Sequence, residues 1–149
     1  MINVGAIKEG YVLDHIQAGM ALQIYNDLNL KSFQNCPIAI ITNVSSKTMG
    51  RKDILKVECP IGTIDLDVLG FLDHNITVNV IENETIVEKK KLQLPKQIKN
   101  VIQCKNPRCI TSIEQELDQI FYLSNEEKEI YRCKYCDEKY RSHKRNKLN

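Results

Sequence analysis

The chain has 149 residues, 42% of them apolar and 27% charged, an ordinary balance for a globular fold of one domain or two small ones. A formal net charge of +2 is too small to point to nucleic acid, and no apolar run approaches the roughly 20 residues that span a bilayer. The start carries no signal-peptide pattern, and Cys36 and Cys59 fit no disulfide framework, so a reducing cytoplasm is expected rather than secretion.

In chain order, residues 3–8 read as a short strand, with a turn at Glu9-Gly10. Asp14 is placed to cap a helix, because Ala18, Ala21, Leu22, Tyr25 and Leu28 then fall on one face. Pro37 opens a β-branched run over residues 38–42, and a long polar loop leads to a second strand over 54–59. Residues 65–72 form a short helix candidate, residues 76–81 alternate as a strand, and residues 85–92 return after a turn at Glu82-Asn83-Glu84. The order β-α-β-β-α-β with one added strand predicts a ferredoxin-like split βαβ arrangement in an α+β fold. Two helices on one sheet face would leave the other face free for a ligand or partner. Composition shifts near Leu94-Pro95, which divides the chain into residues 1–95 and 96–149.

The second part is organised by cysteine. Cys104 and Cys109 are separated by four residues, Cys133 and Cys136 by two, with 23 residues between the pairs. That spacing lets each short loop fold back so that four thiolates enclose one Zn²⁺ in a tetrahedron. A small β-rich, zinc-ribbon-like unit is expected, and with only about fifty residues it has too little core to fold without its metal. Four protein thiolates leave no open position for a reactive water, so the zinc is structural.

The first part holds groups that suit an anion. His15 lies beside the proposed cap and Lys56 on the third strand; a last hairpin centred on Glu84 places Asn79 opposite Lys89, with Lys90 and Lys91 extending the positive run. Imidazole, ammonium, amide and carboxylate together suit a nucleoside triphosphate. Edge-strand lysines also serve simply to block strand pairing, and no phosphate-cradling glycine loop is present.

The segments Ala6-Ile7-Lys8-Glu9-Gly10-Tyr11-Val12-Leu13-Asp14-His15-Ile16 and Met49-Gly50-Arg51-Lys52-Asp53-Ile54-Leu55-Lys56 resemble the regulatory chain of aspartate carbamoyltransferase. So do Ile76-Thr77-Val78-Asn79, Leu94-Pro95, Asn100-Val101-Ile102 and the four cysteines. The resemblance covers nearly the whole chain. It implies a non-catalytic allosteric subunit of pyrimidine biosynthesis that binds CTP and ATP in its N-terminal domain. A domain with one structural zinc would grip the catalytic chain, and the regulatory chains would pair as a homodimer through the N-terminal sheet edge.

By position, the resemblance implies that Lys89 and His15 serve the triphosphate, that Asp14 and Lys56 lie nearer ribose and base, and that Asn79 adds a polar contact. Ala6, Ile7, Val12 and Ile86 would supply apolar and backbone contacts. Asn106, Arg108 and Asp137 would face the catalytic chain. The chain departs from the family in a shorter N-terminal arm, in Glu84 where a Tyr is common, and in Arg108 where an Asn is common.

An alternative is a zinc-ribbon nucleic-acid binder with a basic tail of Arg141, His143, Lys144, Arg145 and Lys147, but residues 54–59 lack the aromatic side chains that stack bases. Redox chemistry at Cys133-Lys134-Tyr135-Cys136 is disfavoured by the matching pair upstream, and no catalytic triad or paired carboxylates are apparent.

Overall fold

The computed structural model describes residues 7–141, and they form two antiparallel sheets. The first contains β1 (Glu9–Gln17), β2 (Ile38–Ser46), β3 (Gly50–Glu58), β4 (Thr77–Glu82) and β5 (Thr85–Lys91), in the order β2-β3-β1-β4-β5. Its helices are α1 (Ala21–Asp27), which leads into a 3-10 turn at Leu30–Ser32, and α2 (Leu66–Leu72). The first four strands of that order are the split βαβ arrangement, with β5 added beside β4. Among the described residues no helix is long and apolar enough to cross a membrane.

The first strand and the first helix start elsewhere than expected. Ile7 and Lys8 are not strand, the rest of the expected 3–8 strand lies outside the described residues, and Glu9-Gly10 opens β1 instead of turning. Gly10 is required by close approach, since a Cβ there would lie 2.0 Å from the Val57 carbonyl oxygen. Asp14 does not cap a helix. The strand continues through it to Gln17, with a bulge where His15 takes φ 63°, and α1 begins only at Ala21.

The capping task falls to a residue far away in sequence. The Asp53 carboxylate is fully buried and accepts from the backbone N–H groups of Gly19 (2.9 Å), Ala21 (3.0 Å) and Asn43 (2.8 Å). One side chain therefore holds the entry to α1 and the irregularity in β2 against β3. By contrast, α2 is capped locally, by Asp65 accepting from Asp67 and Val68 N–H. The β2–β3 loop is short, residues 47–49, because both strands run further than their apolar residues suggested.

The first core gathers Tyr11, Leu13, Leu55, Val57, Val78 and Val80 from the sheet with Ala21, Ile24 and Leu69 from the helices. Alternation along each strand sends Val12, Lys56 and Asn79 to the opposite face.

The second sheet contains β6 (Gln97–Lys99), β7 (Ile120–Asn125), β8 (Ile130–Cys133) and β9 (Lys139–Arg141) in that order, with α3 (Ile110–Ile113) beside it. Its core includes Ile98, Phe121, Tyr131, Cys109, Cys133 and, from the first half, Phe71. The Phe71 ring meets Tyr131 edge-on at 5.0 Å, and the Tyr131 hydroxyl donates to the Pro95 carbonyl at 2.6 Å. Gly70 lets the linker lie on α2, since a Cβ there would meet the Gln93 carbonyl oxygen at 2.3 Å. His74 and Glu129 add a 3.2 Å contact across the same junction. Phe71→Ala should cost about 3–5 kcal/mol. Calorimetry should then show the two sheets unfolding in separate steps; a single unshifted transition would rule out this role for Phe71.

Candidate functional site

Four sulfurs converge between the knuckles. Cys104, Cys109, Cys133 and Cys136 present ligand atoms that all lie within 4.8 Å of one another. Cys104 and Cys136 sulfurs are 3.6 Å apart, and Cys109 and Cys133 sulfurs 3.7 Å. A tetrahedron with Zn–S bonds of about 2.3 Å has edges of about 3.8 Å, so these thiols fit a zinc-sized ion.

Backbone geometry holds them there. In the first knuckle the Asn106 carbonyl accepts from Cys109 N–H (3.0 Å) and the Ser112 hydroxyl (2.7 Å), while its side-chain oxygen accepts from Arg108 N–H (3.0 Å). In the second, Asp137 at φ 65° donates its N–H to the Cys133 carbonyl at 2.8 Å. Cys104 N–H donates to Gln119 Oε1 at 3.0 Å, tying the first knuckle to the segment leading into β7.

The sulfurs differ in acidity. Burial, then the neighbouring Cys136 and Cys133 thiols, push Cys104 up to about 12. Burial also opposes ionisation of Cys109, but hydrogen bonds from Thr111, Cys133 and Cys136 together more than offset it and hold that thiol at about 7.

Around this centre Arg108 and Asp137 are exposed and Asn106 half-buried. The Asp137 carboxylate accepts from the Tyr122 hydroxyl at 2.7 Å, and its carbonyl from Arg132 at 3.0 Å. Ile110, Ile113 and Leu117 lie exposed just after the first knuckle, apolar surface that the sequence reading did not single out.

The second constellation lies on the outer face of the first sheet. Val12 on β1 pairs with Lys56 on β3 and with Asn79 on β4, and Asn79 pairs with Lys89 on β5. Lys56, Val12, Asn79 and Lys89 therefore form one row across four strands. The hairpin turn itself is centred between Asn83 and Glu84, at φ 51° and 65°, and an extra residue, Val87, restores the expected Asn79–Lys89 pairing.

Asn79 is 9% exposed, and its Oδ1 is buried without a hydrogen-bond partner. An orphaned acceptor beneath an open face is costly unless a ligand or solvent serves it.

Asp14 and His15 lie beside the row, two and three residues beyond Val12 toward one end of the sheet. Lys52 Nζ lies 2.9 Å from Asp14 Oδ1, and His15 Nδ1 lies 3.1 Å from the Thr77 hydroxyl. Burial raises the Asp14 carboxyl, but its hydrogen bonds from Lys52 and from His15 N–H, with the Lys52 charge, hold it below the usual value. Lys52 and Thr77 were missed. Alternation back from Lys56 would have found Lys52, and alternation back from Asn79 would have found Thr77, which pairs with Asp14. Lys91 shares the face of Lys89, but Lys90 pairs with core residue Val78, so the positive run is split between two faces.

At the other end, Glu84 N–H donates to the Lys8 carbonyl at 3.1 Å, bringing the half-buried Ile7 near the β4–β5 turn. Ile86 is 55% exposed and pairs with Ile81, and a cleft of about 620 Å³ is lined by Lys8, Glu9, Glu82, Asn83 and Glu84. Ala6 lies outside the described residues. No aromatic residue lies on β3, and Tyr11 of β1 is buried, so this face offers no base-stacking platform on its central strands.

Two family models match along the chain. Residues 2–93 match the model for the aspartate carbamoyltransferase regulatory chain, allosteric domain, and residues 96–146 the model for its metal binding domain. The chain is 54% identical over 148 residues to the aspartate carbamoyltransferase regulatory chain of Clostridium botulinum strain Hall, covering 99% of this chain and 100% of that one. It is 50% identical to the regulatory chain of Clostridium tetani, over 95% of this chain and 97% of that one. The counterpart from Bifidobacterium longum is 43% identical, over 92% and 97%. With an allosteric domain, a metal-binding domain and relatives of this name along its length, the chain belongs to the family of non-catalytic regulatory chains of aspartate carbamoyltransferase.

Proposed function

We propose that this regulatory chain senses CTP and ATP on the outer face of its first sheet and docks on the catalytic chain of aspartate carbamoyltransferase through a zinc-held C-terminal unit. The observation that carries the effector site is the row Lys56–Val12–Asn79–Lys89, which crosses four strands and contains an orphaned acceptor. In this reading Lys89 and His15 hold the triphosphate and Asp14 and Lys56 meet ribose and base. Asn79 Oδ1 finds a donor on the ligand, while Ala6, Ile7, Val12 and Ile86 supply apolar and backbone contacts. Residues 1–95 form the sensing domain and residues 96–149 the gripping one, in a cytoplasmic enzyme of pyrimidine biosynthesis.

Zinc, bound by Cys104, Cys109, Cys133 and Cys136, supplies the cross-link that lets a small unit hold a rigid shape. Asn106, Arg108 and Asp137 then present polar groups to the catalytic chain beside the exposed Ile110, Ile113 and Leu117. Exposed Ile86 and Val87 on edge strand β5 favour pairing of two regulatory chains along a sheet edge. An effector can shift the partner enzyme only by its differential affinity for the assembled states, typically about 1–3 kcal/mol.

The test is calorimetric titration of the metal-loaded chain with CTP and with ATP. Lys89→Ala should weaken triphosphate binding by about 1.5–3 kcal/mol, the loss of a charge-assisted contact. An unchanged affinity would remove Lys89 from the site.

A further inference from the structure

Two cysteines play no part in the metal centre, and the fold places them opposite each other. Cys36 immediately precedes Pro37 and β2; Cys59 immediately follows β3. Ile38 pairs with Val57, and Glu58 N–H donates to the Pro37 carbonyl at 2.9 Å, so the ladder runs one residue past the end of β2. Hydrogen-bonded and non-hydrogen-bonded pairs alternate along an antiparallel ladder. Pro37 and Glu58 occupy the hydrogen-bonded kind, which makes the next pair, Cys36 and Cys59, the close non-hydrogen-bonded kind. In a regular ladder such pairs have Cα atoms about 4.5 Å apart, inside the roughly 4.4–6.8 Å that a disulfide spans.

The side chains also share a face. Val57 and Cys59 are buried in the first core, and Ile38 and Cys36 pack against that same core. Burial pushes the Cys59 thiol up, the Thr63 hydroxyl donates to its sulfur at 3.0 Å, and the neighbouring Cys36 adds to the upward push, so the two thiols lie within electrostatic reach. Their exposures differ: Cys36 is half-buried, Cys59 only 4% exposed.

We infer that Cys36 and Cys59 form a reversible disulfide site, closed by a hydroperoxide and reopened by a dithiol reductant. The more accessible Cys36 thiolate attacks an oxygen of hydrogen peroxide; the O–O bond breaks, the leaving hydroxide takes up the proton that the Cys36 thiol gave up and departs as the first water, and Cys36 becomes a sulfenic acid. The Cys59 sulfur then attacks the Cys36 sulfur. The S–S bond forms, the S–O bond breaks, and the second water carries off the oxygen with the Cys59 proton. The two thiols lose two electrons and the peroxide gains them. A dithiol reverses the bond by exchange and leaves as its own disulfide. Closure would pin the start of β2 to the end of β3, the strand that carries Lys56.

The experiment treats the metal-loaded full chain with hydrogen peroxide, blocks remaining thiols, and maps non-reduced peptides by mass spectrometry while following metal content. The expected product is a Cys36–Cys59 cross-link lighter by two hydrogens, with the four metal ligands unmodified. A rise of several degrees in the melting temperature of the first sheet should accompany it, and a dithiol should reverse both. Cys36→Ser should show neither; should that variant fold poorly, the map of the native chain decides alone. Overoxidised Cys36 with Cys59 unlinked, or cross-links confined to the metal cysteines, would overturn the assignment. No nucleotide or partner enters the assay, so its outcome is independent of the effector reading.

Discussion

Cys109→Ser is expected to release the metal and melt the second sheet while the first sheet stays folded. The second core contains few large residues, and two of its buried members, Cys109 and Cys133, are themselves ligands. A unit of this size cannot offset its chain entropy by apolar burial alone. Structural zinc contributes on the order of 10–16 kcal/mol in small peptides, more than any single side chain here. Cys109 is also 2% exposed and stands immediately before α3, so its sulfur is held between the knuckle and the second core. Elemental analysis should show the metal gone, and hydrogen exchange should show β7 and β8 unprotected with β1 and β3 protected. Because Phe71 sits in the second core, some loosening around α2 should accompany the loss. Metal retained at full stoichiometry, with β7 and β8 still protected, would contradict the prediction.

Asp53→Ala should produce the reverse pattern, weakening the first sheet and sparing the second. The substitution leaves three backbone N–H groups, of Gly19, Ala21 and Asn43, without their acceptor. Hydrogen bonds to a charged acceptor contribute about 1.5–3 kcal/mol each but are not additive, so a total loss of about 3–5 kcal/mol is expected. Asp53→Asn should recover only part of this, because one amide group replaces two carboxylate oxygens with an oxygen and a donor. Urea unfolding monitored separately for each sheet makes the measurement, and a loss below about 1 kcal/mol would show that solvent replaces the carboxylate there. Lys52 neighbours Asp53 and lies 2.9 Å from Asp14, so the same change should disturb the Asp14–Lys52 pair beside the polar row.

What could be read from the sequence was what is encoded locally. The four cysteines announce their site by spacing, because knuckle loops are short and each pair must reach one ion. The helix over 65–72 was legible from its apolar positions, and its cap is local too, since the Asp65 carboxylate serves N–H groups two and three residues ahead. The Asn79–Lys89 pairing followed from strand alternation, although the bulge at Val87 that produces it did not.

Non-local devices were hidden. Asp14 looks like a cap and Asp53 like a turn residue; only the folded sheet reveals that Asp53, across 34 and 32 positions, holds the entry to α1. With the cap moved, the residues around His15 remain strand, which puts Asp14 and His15 on β1 beside the polar row. Phe71 falls off the apolar period of α2 that faces its own sheet, and its reason lies in the other half of the chain, against Tyr131. Lys90 and Lys91 read as one positive run, yet a strand sends consecutive side chains to opposite faces.

The division between a sensing sheet and a metal-clamped grip is tested most directly by hydrogen exchange on the metal-loaded full chain, with and without CTP. Added nucleotide should protect the amides around Val12, Lys56 and Asn79 and leave the segments bearing Cys104, Cys109, Cys133 and Cys136 unchanged. Protection confined to the cysteine segments, with the outer face of the first sheet unaltered, would contradict it.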